Sequence, residues 1–215
     1  MSKPPLLSSI GKKQVVALSG IALMGFIAMH LLGNANIYFG AEFFNKYAHK
    51  LHSLGPLMTI AEVGLLAVFL LHIAFALTVT AQNLAARPVR YKVKKSSSER
   101  TPGSRFMAFS GVYMLVFIIV HLVNFRAQRG HGEISEIVGG LFQEPAWAIF
   151  YSVSMLLVAL HVSHGFWSAF QTLGGGTAQS HVVKAVRNTG VAFSLIVGLG
   201  FAGMPIVVCF FGALS

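Results

Sequence analysis

Nine histidines are spread along the chain, and His30, His72, His121 and His161 fall one in each of four long apolar runs, the last of which also holds His164. An ionisable ring at membrane depth is costly and by default marks a functional site. For any one of them the plain alternative is a polar contact between neighbouring helices. Two imidazoles at one depth on different helices can clamp a planar macrocycle from both faces, as bis-histidine ligation of noncovalently bound haem b does. Zinc suits the pattern less well, because it prefers four ligands and each pair stands without a nearby Cys or Asp. Copper meets the same shortage.

The elements that must position these rings are membrane spans. Hydrophobic residues make up 55% of the 215 and charged residues only 10%, whereas a soluble domain is about a quarter charged. A spanning helix needs roughly 20 mostly apolar residues. Five stretches qualify, at 14–38, 57–86, 106–127, 145–173 and 186–213, and together they make residues 1–215 a single all-α transmembrane domain. Pro56 and Pro145 mark the starts of the second and fourth, in the first helical turn where a missing N–H costs nothing. The first run follows Lys12 and Lys13 as a signal peptide would, but it is too long and lacks a small-x-small cleavage site, so it is expected to be retained. The single cysteine, Cys209, excludes an intrachain disulfide, an iron–sulfur cluster held by this chain and covalent c-type haem attachment.

Charge sets the orientation. The formal charge of +10 comes from 16 Lys or Arg against 6 acids, all Glu. Twelve of the basic residues fall in the N-terminus (Lys3, Lys12, Lys13), the 87–105 connection (Arg87, Arg90, Lys92, Lys94, Lys95, Arg100, Arg105) and the 174–187 connection (Lys184, Arg187). Lys46, Lys50, Arg126 and Arg129 occupy the alternate loops. The positive-inside rule therefore predicts a cytoplasmic N-terminus and an outer C-terminus. The basic surplus then belongs to a membrane surface or a docked protein rather than to nucleic acid. Ser96-Ser97-Ser98 and Thr101-Pro102-Gly103 make 87–105 an exposed connection between two halves.

Those halves repeat. Ala17-x-Ser19-Gly20, Phe26-Ile27 and His30-Leu31 recur without a gap as Ala108-x-Ser110-Gly111, Phe117-Ile118 and His121-Leu122, a match at seven positions. His72 and His161 follow 42 and 40 residues later, and the fifth span stands outside the repeat. Depth arranges the rings in two layers. His30 lies 17 residues after Lys13 and His121 16 after Arg105, on helices rising from the cytoplasm. His72 and His161 each lie 16 residues after a proline, on helices descending from outside. At about 1.5 Å per residue across a core of about 30 Å, His30 and His121 belong to an outer layer and His72 and His161 to an inner one, about 10–20 Å apart. The expected architecture is a four-helix bundle of the first four spans around two stacked haems, an electron wire through the bilayer. Gly20, Gly25, Gly33, Gly64, Gly111 and Gly165 would let a ring approach the backbone. His164, three residues after His161, is an alternative ligand or a haem-environment residue, while His49, His52, His131 and His181 read as loop residues. His49 and His52 follow Phe43–Ala48, an amphipathic stretch suited to the outer interface.

His161-Val162-Ser163-His164-Gly165-Phe166-Trp167 resembles the fourth-helix H-x-x-x-G-aromatic run of the five-helix, di-haem cytochrome b anchors of succinate:quinone oxidoreductases and fumarate reductases, and His30-Leu31-Leu32-Gly33-Asn34 resembles their first-helix H-L-x-x-N. The resemblance covers nearly the whole chain and rests on the order and spacing of all four histidines. It implies two noncovalent haems b, a proximal one on His72 and His161 and a distal one on His30 and His121. It also implies a prokaryotic inner-membrane location, a flavoprotein and an iron–sulfur subunit docked on the cytoplasmic face, and a quinone, typically menaquinone, reacting within the anchor. The dicarboxylate chemistry would belong to the partner subunits. Some fumarate reductases of this family carry Glu two residues before the fourth-helix ligand, associated with a transmembrane proton route; here that position is Ala159. Glu62, the only acid well inside a span, is the candidate proton acceptor for quinol chemistry, with a hydrated interfacial carboxylate as the alternative. Two other readings stay open: a di-haem cytochrome b of a hydrogenase or formate dehydrogenase, and a haem-free transporter with a histidine proton relay.

Overall fold

A computed structural model describes residues 8–86, 103–128, 130–175 and 179–214, without the side chains of 103–105. Among these residues every regular element is helical: α1 (Ser9–Asn34), α2 (Ala41–His52), α3 (Pro56–Ala85), α4 (Gly103–His121), α5 (Ile134–Phe142), α6 (Pro145–Thr172) and α7 (Ser180–Phe211). A 3-10 turn over Ala35–Phe39 extends α1, and a π turn over Leu122–Arg126 extends α4. Five of these helices are long and apolar enough to cross a membrane.

The surface identifies the solvent. α3 buries no residue along its length and exposes Leu57, Ile60, Val63, Leu66, Leu70 and Leu77. Apolar exposure on that scale is stable only where lipid replaces water, so the chain is a multi-pass membrane protein.

Local chemistry explains where the helices begin. Pro56 and Pro145 occupy the first turns of α3 and α6, as expected. α1 begins at Ser9 rather than at 14, because the Ser8 hydroxyl accepts the Gly11 N–H at 3.0 Å and caps the helix. α4 begins at Gly103, and α7 at Ser180 rather than 186, so the 174–187 connection is shorter than expected and His181, Lys184 and Arg187 are helical. Hydropathy marks where lipid begins; a helix continues beyond it, its long side chains reaching the headgroups. His49 and His52 likewise belong to the last turn of α2, not to a loop. α5 was not expected at all; the Glu136 carboxylate accepts the Glu133 N–H at 3.2 Å across its first turn. Arg87, Arg90, Lys92, Lys94, Lys95 and Arg100 lie outside the described residues, as do Lys3 and Arg129.

α1 packs on α3 and α6, α4 packs on α6, and the most extensive contact joins α6 to α7. Each half of the repeat is thus a helix pair, and α1 against α6 joins them. The short helices α2 and α5 meet at one end of the long helices: Asn45 on α2 donates to the Ser135 hydroxyl at 2.9 Å and accepts the Ser135 N–H at 3.0 Å, while His49 meets Glu133 at 3.0 Å. Pro205 interrupts the α7 hydrogen-bond ladder, and Ser152 and Tyr38 donate to the nearby Ala202 and Gly200 carbonyls at 2.9 and 3.2 Å.

The α6–α7 contact depends on a missing side chain. A Cβ at Gly198 would stand 2.6 Å from the Ala159 Cβ and 3.3 Å from the Met155 carbonyl. Gly198→Val is therefore expected to force the helices apart and cost about 1–3 kcal/mol, seen as a lower thermal midpoint in detergent. Gly140→Ala, where an added Cβ meets nothing within 4 Å, should leave that midpoint unchanged or raise it.

Candidate functional site

The four span histidines come together in two pairs. His30 on α1 and His121 at the end of α4 have ring centroids 5.9 Å apart, with planes at 86°. Two imidazoles that share one metal ion, each through a nitrogen about 2 Å away, have centroids about 6 Å apart. The observed separation fits that donor geometry. Aromatic rings enclose the pair. Phe26, one turn before His30, stacks on it at 5.3 Å, and Phe201 of α7 leans on it at 5.5 Å. His121 contacts Phe125 at 5.1 Å, Phe117 at 6.0 Å and Tyr151 at 6.2 Å. The Asn34 side-chain amide donates to the His30 carbonyl at 2.8 Å and lies 3.3 Å from His30 Nδ1.

The second pair is His72 on α3 and His161 on α6. His161 lies within electrostatic reach of both His72 and His164. The Ser19 hydroxyl is 3.0 Å from Nδ1 of His72, and the Ser110 hydroxyl 3.1 Å from Nδ1 of His161. Each ring edge also rests on the glycine that follows the serine: a Cβ at Gly20 would stand 3.2 Å from His72 Cε1, and one at Gly111 3.6 Å from His161 Cε1. Ser19 precedes His30, and Ser110 precedes His121, by eleven residues, which is about 16 Å along a helix. Among the described residues no three His, Cys, Asp or Glu side chains gather as a metal-ion site, so each layer offers imidazole pairs alone. A macrocyclic metal, with four equatorial donors of its own, would need only such a pair of imidazoles.

Glu62 lies near the N-terminal end of α3, and the Arg126 guanidinium donates to its carboxylate at 3.0 Å. The Glu62 side chain is 29% exposed. Arg126 reaches it because the π turn, closed by the Ala127 N–H on the Leu122 carbonyl at 2.9 Å, adds a residue just after His121. The same turn carries Asn124, which donates to the Tyr151 hydroxyl at 3.0 Å. Ala159 faces α7 across the Gly198 contact, so that position is closed against a neighbouring helix.

Sequence reasoning missed the partners. Ser19 and Ser110 were visible as the conserved offset of the internal repeat but not as contacts of His72 and His161. Arg126 was visible only as a loop charge. The signal for the serines was present: both stand at one offset from a span histidine, in a motif where an apolar residue would fit lipid better.

The chain is 28% identical over 209 residues to the succinate dehydrogenase cytochrome b558 subunit of Bacillus subtilis (strain 168), a similarity that covers 92% of this chain and 95% of that protein. No protein-family model matches the chain, and neither does any solved structure. With the five apolar spans, this full-length likeness supports a cytochrome-b-like membrane anchor at the level of family, in a multi-pass protein of a prokaryotic inner membrane.

Proposed function

We propose that the chain is the membrane-anchor cytochrome b of a succinate dehydrogenase or fumarate reductase complex, binding two b haems and a quinone. The carrying observation is the pairing of His30 with His121 at 5.9 Å, about 16 Å along α1 and α4 from the serine-backed pair His72 and His161. The relative's name adds the succinate dehydrogenase context. A pair of stacked haems supplies one-electron chemistry that links a quinone at the outer side to an iron–sulfur subunit on the cytoplasmic face.

In this reading the protein's own residues hold and insulate. His30 and His121 hold the distal group, His72 and His161 the proximal one, and the first four spans surround both. Two imidazoles fill both axial positions of an iron, which suits electron transfer and excludes oxygen binding at the metal. Phe26, Phe117, Phe125 and Phe201 keep the outer pair away from bulk solvent. His164, one turn from His161, belongs to the proximal environment. The basic N-terminal face docks the flavoprotein and iron–sulfur subunits, leaving the C-terminus outside. Glu62 takes the proton of a quinol, menaquinol by the family resemblance, with the Arg126 guanidinium beside its carboxylate.

Protein purified from its own membranes should show a b-type reduced-minus-oxidised spectrum and two haems per chain by pyridine haemochrome. It should also bring a flavoprotein and an iron–sulfur protein with it. His30→Ala and His121→Ala should each remove one haem, His72→Ala and His161→Ala the other, and His164→Ala neither; absence of b haem, or loss at His164 with retention at His161, overturns the assignment. Glu62→Gln should lower quinone-linked turnover about tenfold or more with both haems in place. Unchanged turnover would return Glu62 to an interfacial ion pair.

A further inference from the structure

The Ser-Gly dipeptide shared by the two halves sits in the middle of apolar helices, and both hydroxyls are out of contact with lipid: Ser19 is 6% exposed and Ser110 2%. Each hydroxyl has a carbonyl of its own helix within donating distance. Ser19 donates to the Val15 carbonyl at 2.6 Å, with the Val16 carbonyl at 3.2 Å, and Ser110 donates to the Met107 carbonyl at 3.1 Å. A hydroxyl has one donor and two lone pairs, so what each oxygen offers its histidine is an acceptor. An acceptor 3.0 or 3.1 Å from Nδ1 calls for a proton on that nitrogen. A neutral imidazole carries one N–H, which leaves Nε2 with its lone pair free. Gly20 and Gly111 complete the seat, since the ring edges lie where their Cβ atoms would press.

We propose that Ser19 and Ser110 are positioning residues that hold His72 and His161 as Nδ1–H tautomers and so present Nε2 of both rings as the coordinating nitrogens of the proximal haem site. The inference rests on the reading of the chain as a di-haem anchor and adds to it the source of ligand orientation at one layer. A hydrogen bond from Nδ1–H also makes an imidazole a stronger donor to a metal, which favours the oxidised iron and lowers its potential. The outer pair is built differently: His30 Nδ1 lies against the Asn34 amide at 3.3 Å, and His121 sits among rings. Changes at the serines should therefore be felt at one haem only, and the outer one serves as an internal control for the fold.

The test uses the full chain with the subunits that accompany it, in wild-type form and as Ser19→Ala, Ser110→Ala, Ser19→Cys and Ser19→Thr. Redox titration of the α-band, low-temperature EPR of the oxidised protein and haem retention through detergent exchange are measured together. Ser19→Ala and Ser110→Ala should each raise the midpoint potential of one haem, shift only that haem's low-spin signal and weaken its retention about tenfold or more. Ser19→Cys keeps the volume but is a poor acceptor, so it should reproduce the shift even if the alanine variant accumulates poorly. Ser19→Thr retains the hydroxyl and should restore wild-type values. Unchanged potential, EPR and retention in the alanine and cysteine variants overturn the inference, and so does an equal shift at both haems. Wild-type protein with no haem b overturns the di-haem reading itself, whereas two haems with unaltered serine variants overturn the tautomer assignment alone.

Discussion

An imidazole taken into hydrocarbon must have its polar atoms answered, and most of the local structure follows from that requirement. Leaving such a group unpartnered costs several kcal/mol, about as much as one mutation can remove from a protein's stability. For His72 and His161 the answer comes from hydroxyls on the neighbouring helix of the same half, Ser19 and Ser110. Those contacts set which face of α3 turns toward α1, and which face of α6 turns toward α4. The rest of α3 is then free to be apolar all round, since it buries nothing else. At the outer layer the answer is enclosure, with Phe26, Phe117, Phe125, Tyr151 and Phe201 packed around His30 and His121.

What could be read from the sequence was whatever repeats along one dimension. Length and hydropathy located the five spans, and the first-turn prolines located the starts of α3 and α6. Counting residues from Lys13, Pro56, Arg105 and Pro145 sorted four histidines into two expected depths, because a helix converts sequence number into height at a constant rate. Helix ends were less legible. The Ser8 cap and the two polar turns that open α7 lie outside the apolar stretch, so a search for lipid-length runs cuts them off. α5 is short and was lost in a loop for the same reason. Partners were least legible of all. Arg126 reaches Glu62, 64 positions away, only because a π turn inserts a residue after His121, and nothing in the run Leu122–Arg126 announces that register change.

The duplicated halves show how one motif serves two environments. Ser-Gly and the histidine eleven residues later are kept in both, so each first helix carries a contact for one layer and a ring for the other. This couples the layers mechanically: a rotation of α1 that improved the seat of His72 on Ser19 would swing His30 as well. After the histidine the halves part. α1 tightens into a 3-10 turn that docks Ile37 in the core, whereas α4 loosens into a π turn that carries Asn124 and Arg126 to Tyr151 and Glu62.

The fifth long helix breaks the remaining symmetry. α7 packs chiefly on α6, so it supplies Phe201 to His30 and has no counterpart beside His121. It also closes the surface of α6 at Ala159, where Gly198 allows backbone contact and no larger side chain fits without displacing a helix. A carboxylate at that position would have to enter the α6–α7 seam. Arg126, one π turn beyond His121, partners Glu62 from the other half of the repeat. If the four imidazoles serve as axial ligands, the two layers share one donor set, and only their surroundings can separate their potentials. Hydroxyl acceptors at one layer and an aromatic enclosure at the other are such a difference, arising from a single repeated sequence placed beside one unrepeated helix.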